Sequence, residues 1–111
     1  MELQREQQAF AQDVAKLISY IYAQGYSITL GEAYRTKEQA EIYAKTGKGI
    51  LNSLHCDRLA IDLNLFDKND NILTLPKDYE PFGKYWQSLS PKNRWGGTFK
   101  RVDADHFERN V

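Results

Sequence analysis

A nine-residue stretch, R-L-A-I-D-L-N-L-F at positions 58–66, constrains the fold more than any other part of the chain. Every second residue in it is leucine or isoleucine, which is the pattern of a strand with one buried face. That face carries Leu59, Ile61, Leu63 and Leu65. Asp62 points away from them, so we expect it to line a cleft beside the core. A desolvated carboxylate there needs a partner, because an unpaired buried charge is costly.

The remaining patterns indicate helices that segregate from strands along the chain. Apolar residues at three- and four-residue spacing, and a capping box at Thr36 and Gln39, predict helices over 2–24, 37–45 and 79–89. Further strands are predicted around 26–30, 72–75 and 106–108. W-G-G-T-F, which begins at Trp95, is predicted to be a turn. This arrangement predicts an α+β fold, with helices packed on a sheet.

Size and charge exclude several classes of protein. A length of 111 residues is typical of one domain, so we expect a single domain over residues 1–111. Fifteen basic and fifteen acidic residues balance, so no overall field favours nucleic acid. No run of about 20 apolar residues predicts a membrane span, and the polar start does not resemble a secretory signal. A single cysteine excludes an internal disulfide and is compatible with synthesis in a reducing cytoplasm.

The chain has only two histidines, and each stands near acidic residues. His55 precedes Asp62 by seven residues, and His106 lies within D-A-D-H-F-E. Two neutral imidazoles and one carboxylate form a recurrent metal-binding set that leaves a fourth position open for water. Zinc suits such nitrogen and oxygen ligands. A structural salt bridge is the alternative reading of a lone His-x6-Asp pattern.

Two further residues suit hydrolytic chemistry at such a site. Asp103 stands three residues before the second histidine, where an acid could take a proton from water. Arg35 could stabilise an oxyanion or hold a substrate carboxylate. Each also has a structural interpretation, because Arg35 could equally pair with Glu32 or Glu38, and Trp95 is by itself typical of a core. The residues alone therefore leave metal chemistry open.

Together, four segments resemble the zinc D,D-carboxypeptidases and L-alanyl-D-glutamate endopeptidases that cut peptidoglycan stem peptides. The Ser-x-His-x6-Asp segment of that family matches Ser53, His55 and Asp62. Its acid-x-x-His segment matches Asp103 and His106. G-E-A-Y-R-T-K-E-Q and W-G-G-T-F resemble two other segments of these enzymes, in the same order along the chain. The resemblance therefore covers most of the sequence.

The resemblance implies a fold and a role for each matched residue. The fold would be the small α+β fold that these peptidases share with the hedgehog signalling domain. Zn²⁺ would be bound by His55, Asp62 and His106. Asp103 would act as the general base, Arg35 would steady the tetrahedral intermediate or the substrate carbonyl, and Ser53 and Trp95 would support the site or bind substrate.

The chain also departs from the family pattern. Arg58 stands where the family often has glycine, three residues after the first ligand, and a long cation there could alter substrate choice or point outward. Asp105 competes with Asp103 for the role of base, and Glu108 is a weaker candidate. We expect Asp103 to act, because the acid of the family stands at that offset and Asp105 faces away from its histidine neighbour in an extended strand.

Three functions remain to be distinguished. The leading one is a peptidoglycan peptidase, most of all an L-alanyl-D-glutamate endopeptidase of phage or prophage origin. Such a monomer would be made in the cytoplasm and reach the cell wall through a holin or on a virion, and a D-alanyl-D-alanine carboxypeptidase is the open alternative. A zinc-containing binding module is the second function, against which Asp103 and Arg35 argue. An iron oxygenase is disfavoured, because its carboxylate usually follows the first histidine by two residues.

Overall fold

A computed structural model of the chain describes residues 2–49 and 53–111. Its α-helices are α1 (Glu2–Ala23), α2 (Lys37–Lys45) and α3 (Pro76–Leu89). Its strands are β1 (Ser27–Leu30), β2 (Ala60–Phe66), β3 (Ile72–Leu73), β4 (Asn93–Trp95) and β5 (His106–Arg109). Short 3₁₀ helices span Leu54–Asp57 and Gly96–Thr98. No helix in the described ranges is long and apolar enough to cross a membrane.

The strands form one antiparallel sheet in the order β1-β2-β5-β4, and β3 pairs with the end of β2. The alternating stretch identified in the sequence is thus the central strand. In its register with β5, Asp62 lies directly opposite His106. The predicted α+β fold, an antiparallel sheet with packed helices, is confirmed.

The core lies between the sheet and the helices α1 and α3. The apolar face of β2 is buried as the alternation predicted. Phe10 of α1 meets Trp86 of α3 edge to face, with ring centroids 5.6 Å apart. The Tyr79 hydroxyl of α3 donates to the Leu63 carbonyl oxygen of β2 at 2.8 Å. These contacts hold the central strand rigidly from one side and leave the side of Asp62 facing a cleft.

Helix boundaries agree closely with the sequence prediction except at α3. This helix begins at Pro76 rather than near residue 79, because proline suits the first helical turn and the Asp78 carboxylate accepts the Leu75 N–H at 3.2 Å. At α2, the Thr36 hydroxyl accepts the Gln39 N–H at 3.1 Å, so the predicted N-cap is present.

The segment around Trp95 differs from the predicted turn. Residues 93–95 form β4 and pair with β5, and the turn begins only at Gly96. Three residues are too short to show a strand pattern by themselves. Gly83 of α3 permits the packing here, since a Cβ atom at that position would lie 2.1 Å from Cδ2 of Trp95.

Candidate metal centre and cleft

Three predicted ligands converge at the middle of the sheet. Pairing of β2 with β5 sets Asp62 beside His106, and the 3₁₀ helix after Ser53 brings in His55. Oδ1 of Asp62 lies 3.4 Å from Nε2 of His55 and 3.2 Å from Nδ1 of His106. One potential ligand atom from each residue lies within 4.8 Å of the other two.

This arrangement fits a zinc ion. Tetrahedral ligands placed about 2.0–2.1 Å from zinc are roughly 3.3 Å apart, close to the two distances from the Asp62 oxygen. Both histidines are buried and the aspartate is half-buried, so the ligands are shielded from competing water. The residues present are therefore the right kind, at the right spacing, to hold Zn²⁺.

The charges of these groups depend strongly on one another. Burial acts to raise the pKa of Asp62, but hydrogen bonds with His106 and His55 outweigh it and lower the pKa to about 2. Burial acts to lower the pKa of His106, but hydrogen bonds to Asp62 and Glu108 outweigh it and raise the pKa to about 9. Without a metal, the site therefore holds a carboxylate–imidazolium pair, and a metal would replace that proton.

Each histidine ring has a carboxylate near the nitrogen that does not face Asp62. Nε2 of His106 lies 2.7 Å from Oε1 of Glu108, and Arg94 holds the other oxygen of Glu108. Nδ1 of His55 is buried without a hydrogen bond, and the nearest acid is Glu32 at 3.7 Å. Such outer carboxylates orient metal-binding imidazoles. The sequence signal for Glu108 was its position two residues after His106, which places both on one face of a strand.

Asp103 and Asp105 both lie near the centre, but only Asp103 lines the main cleft. Oδ2 of Asp103 is 3.9 Å from Nδ1 of His106, and its side chain is 56% exposed and lines the main cleft. Asp105 lines a smaller cavity of about 260 Å³, which Asp103 also borders. Burial raises the pKa of Asp105 to about 7, and its hydrogen bond with Asp103 and the charge of Asp62 add to that shift.

The main cleft has a volume of about 590 Å³ and is bordered by Arg35 and Ser53. This volume is typical of small-molecule sites. Nε of Arg35 donates to Glu32 at 2.8 Å, so the alternative pairing with Glu32 is present as well. The Ser53 hydroxyl accepts the His55 N–H at 3.2 Å and thereby fixes the start of the 3₁₀ helix that carries the first ligand.

Trp95 and Arg58 lie away from the cleft surface. Trp95 is buried, and its indole N–H donates to the Ala104 carbonyl oxygen at 2.7 Å, behind the segment that leads to His106. Arg58 has a φ of 55°, a left-handed conformation that favours glycine. Its guanidinium lies 4.1 Å from the ring centroid of Tyr34. Arg58, which departs from the family pattern, therefore points away from the cleft.

Comparisons with known proteins bear on the family and the fold of the chain. Residues 46–109, more than half of the chain and including all three candidate ligands, match the model of a family described as D-alanyl-D-alanine carboxypeptidase. The structure is similar to the L-Ala D-Glu endopeptidase ChiX of Serratia marcescens, with a TM-score of 0.71 and 16% sequence identity. The match covers 96% of this chain and 85% of that one. No curated protein matches the sequence.

Proposed function

Because the chain belongs to the D-alanyl-D-alanine carboxypeptidase family of peptidases, we propose that it is a zinc-dependent hydrolase of peptidoglycan stem peptides, cutting next to a D-amino acid. The observation that carries this proposal is the convergence of His55, Asp62 and His106 in a cleft that Asp103 also lines. A structural metal site needs no acid at its open side and no arginine beside it, and this cleft has both.

We assign the scissile bond to L-Ala–D-Glu, with D-Ala–D-Ala as the alternative. The fold similarity to an L-Ala D-Glu endopeptidase supports the first bond, and the description of the matching family supports the second. We further propose that the protein is of phage or prophage origin and acts on the cell wall, after holin-dependent release or on a virion. It would act as a monomer, with one catalytic domain over residues 1–111. These last points rest on the family resemblance.

In this proposal each residue of the cleft has a chemical task. Zinc, when bound, would polarise the substrate carbonyl and make water more acidic. Asp103 accepts the proton of the attacking water and later gives it to the leaving amine. Arg35 donates hydrogen bonds to the oxygen that becomes negative as the tetrahedral intermediate forms. Glu108, held by Arg94, keeps the ring of His106 in the orientation that binding requires.

Asp103, rather than Asp105, is the proposed base. Only the former lines the cleft in which the substrate would lie, and its exposure lets it reach the attacking water. Asp105 lies in the neighbouring cavity, with its pKa raised to about 7 by burial and nearby carboxylates. We propose that Asp105 positions Asp103 and does not itself act as the base.

Digestion of purified peptidoglycan, with mass spectrometry of the new termini, tests the function. The zinc-loaded protein should release L-Ala carboxyl and D-Glu amino ends, and chelation should abolish this. Asp103→Asn should lower kcat by about 10²- to 10⁴-fold while still binding zinc, and Asp105→Asn, the matched neighbour, should retain far more activity. Release of free D-alanine would establish the carboxypeptidase instead. A folded, zinc-loaded protein that cuts no stem peptide would contradict the proposal.

A further inference from the structure

Four basic and three acidic side chains line the cleft, and not every basic one has an acid partner. The basic residues that line it are Arg35, Lys48, Arg94 and Arg101. Two of these already have acid partners, since Arg35 pairs with Glu32 and Arg94 pairs with Glu108. Across residues 2–49 and 53–111, which include every acidic residue of the chain, the other two have no carboxylate oxygen within 4.0 Å. Among the described residues, these two cations of the cleft therefore have no ion-pair partner.

These two cations stand on opposite loops that meet over the cleft. Lys48 follows α2, and its backbone N–H donates to the Tyr43 carbonyl oxygen at 2.8 Å, which fixes its position at the helix end. Arg101 belongs to the loop before β5, and its Nη2 donates to the Gly47 carbonyl oxygen at 2.7 Å. A guanidinium has five N–H donors, so this bond leaves most of them available.

The location of the cations indicates an anionic ligand. The chain as a whole has a net charge of zero, so these two cations are a local feature of the cleft. Cations that line a concave site concentrate anions there and form charge-assisted hydrogen bonds with carboxylates. The contact with Gly47 occupies one donor of Arg101, and the exposed Lys48 ammonium at the same cleft has no acid partner among the described residues, so both side chains are available to a ligand.

From this charge pattern we infer that Lys48 and Arg101 determine specificity by binding a free carboxylate of the substrate. The inference rests on the proposed function and narrows its substrate class to stem peptides that carry an ionised carboxylate near the scissile bond. A stem peptide with lysine at its third position offers two such groups, the α-carboxylate of γ-linked D-glutamate and the carboxylate at its C-terminus. Amidation of the one that is recognised would remove its charge and weaken binding.

Steady-state kinetics on three synthetic stem peptides tests this inference. The first peptide has both carboxylates free, the second carries a carboxamide at D-glutamate, and the third carries one at the C-terminus. Zinc-loaded wild type should show a kcat/KM about 5- to 20-fold lower for one of the amidated peptides, mainly through KM. Lys48→Met and Arg101→Met should lose most of this preference. Arg101→Lys, which keeps the charge, should retain part of it.

Lys84→Met is the matched control, because Lys84 is an exposed lysine of α3, 73% accessible, outside the cleft. It should leave the preference unchanged. The amide that reduces kcat/KM identifies which carboxylate is bound. Equal cleavage of all three peptides by wild type, or an unchanged preference in both Met variants, would overturn the inference.

Failure of the proposed function has a different signature. In that case zinc-loaded wild type cuts none of the three peptides. Calorimetry with the same peptides then still tests the inference, since tighter binding of the free carboxylate, lost in Lys48→Met and Arg101→Met, supports it. Equal affinity for free and amidated peptides would contradict it.

Discussion

For the replacement of Gly83 by alanine, sequence and structure predict changes in the free energy of unfolding that have opposite signs. Gly83 lies inside α3, where alanine is favoured over glycine by about 0.8–1.0 kcal/mol. The structure places the new Cβ 2.1 Å from Cδ2 of Trp95, whereas ordinary contacts begin at 3.4 Å. The ring or the helix must therefore move by about 1.3 Å, the difference between those distances.

The net effect of Gly83→Ala follows from three contributions. Overpacking a dense core costs about 1–3 kcal/mol. Movement of Trp95 also disturbs its hydrogen bond to the Ala104 carbonyl oxygen, worth about 1 kcal/mol. After the gain in helix propensity is subtracted, we expect the free energy of unfolding to fall by about 1–3 kcal/mol. Activity should also decrease, because the disturbed segment leads to Asp103 and His106.

Urea unfolding of the zinc-free protein measures this effect. The midpoint should decrease at an unchanged slope, and Lys84→Ala, at the next position but exposed, should change the unfolding free energy by less than about 0.5 kcal/mol. Trp95→Phe in the Gly83→Ala background should recover part of the loss in a double-mutant cycle. If Gly83→Ala proves as stable as the wild type or more so, the packing argument is wrong.

Three other predictions concern the metal centre and its surroundings. Glu108→Gln should weaken zinc binding about 10- to 100-fold in a competition assay, because the ring of His106 loses its charged partner; unchanged affinity would remove Glu108 from the site. In chelator-treated protein, the stabilisation from protonated His106 is complete below pH 6.5 and is lost as the pH rises to about 9. The stabilisation from ionised Asp62 is present above pH 3.8 and is lost as the pH falls to about 2. The unfolding free energy should therefore decline above pH 6.5 without zinc and hold with zinc, and a flat profile without zinc would refute the pairing. Arg58→Gly should keep kcat/KM within about threefold, since this side chain lies on Tyr34 outside the cleft, whereas a large loss would place Arg58 in the substrate site.

Local patterns were sufficient to predict the elements that carry the site. The alternation along β2 predicted both the strand and its buried face, because burial of every second side chain is a property of one strand alone. α1 and α2 followed from apolar periodicity and from the cap at Thr36 for the same reason. β4 could not be predicted, because its three residues are extended only through pairing with β5.

The sequence by itself determined which residue types were available to such a centre. Two histidines, an aspartate in an apolar strand and an acid three residues before the second histidine are the residue types that zinc sites use. The resemblance of four segments to a peptidase family was needed to predict that they act together. Residue types and spacings can be read from the sequence without the fold, so they identify these residues as candidates.

Only the tertiary structure decided how those atoms face one another. Asp62 and His106 are 44 residues apart in the chain, and the register of β2 with β5 brings them together. Glu108 bonds Nε2 of His106, which leaves Nδ1 to face Asp62. The same holds for Arg101, which reaches Gly47 across 54 residues. Such orientations depend on contacts between distant segments, because a side chain turns toward the partner that the folded chain places within its reach.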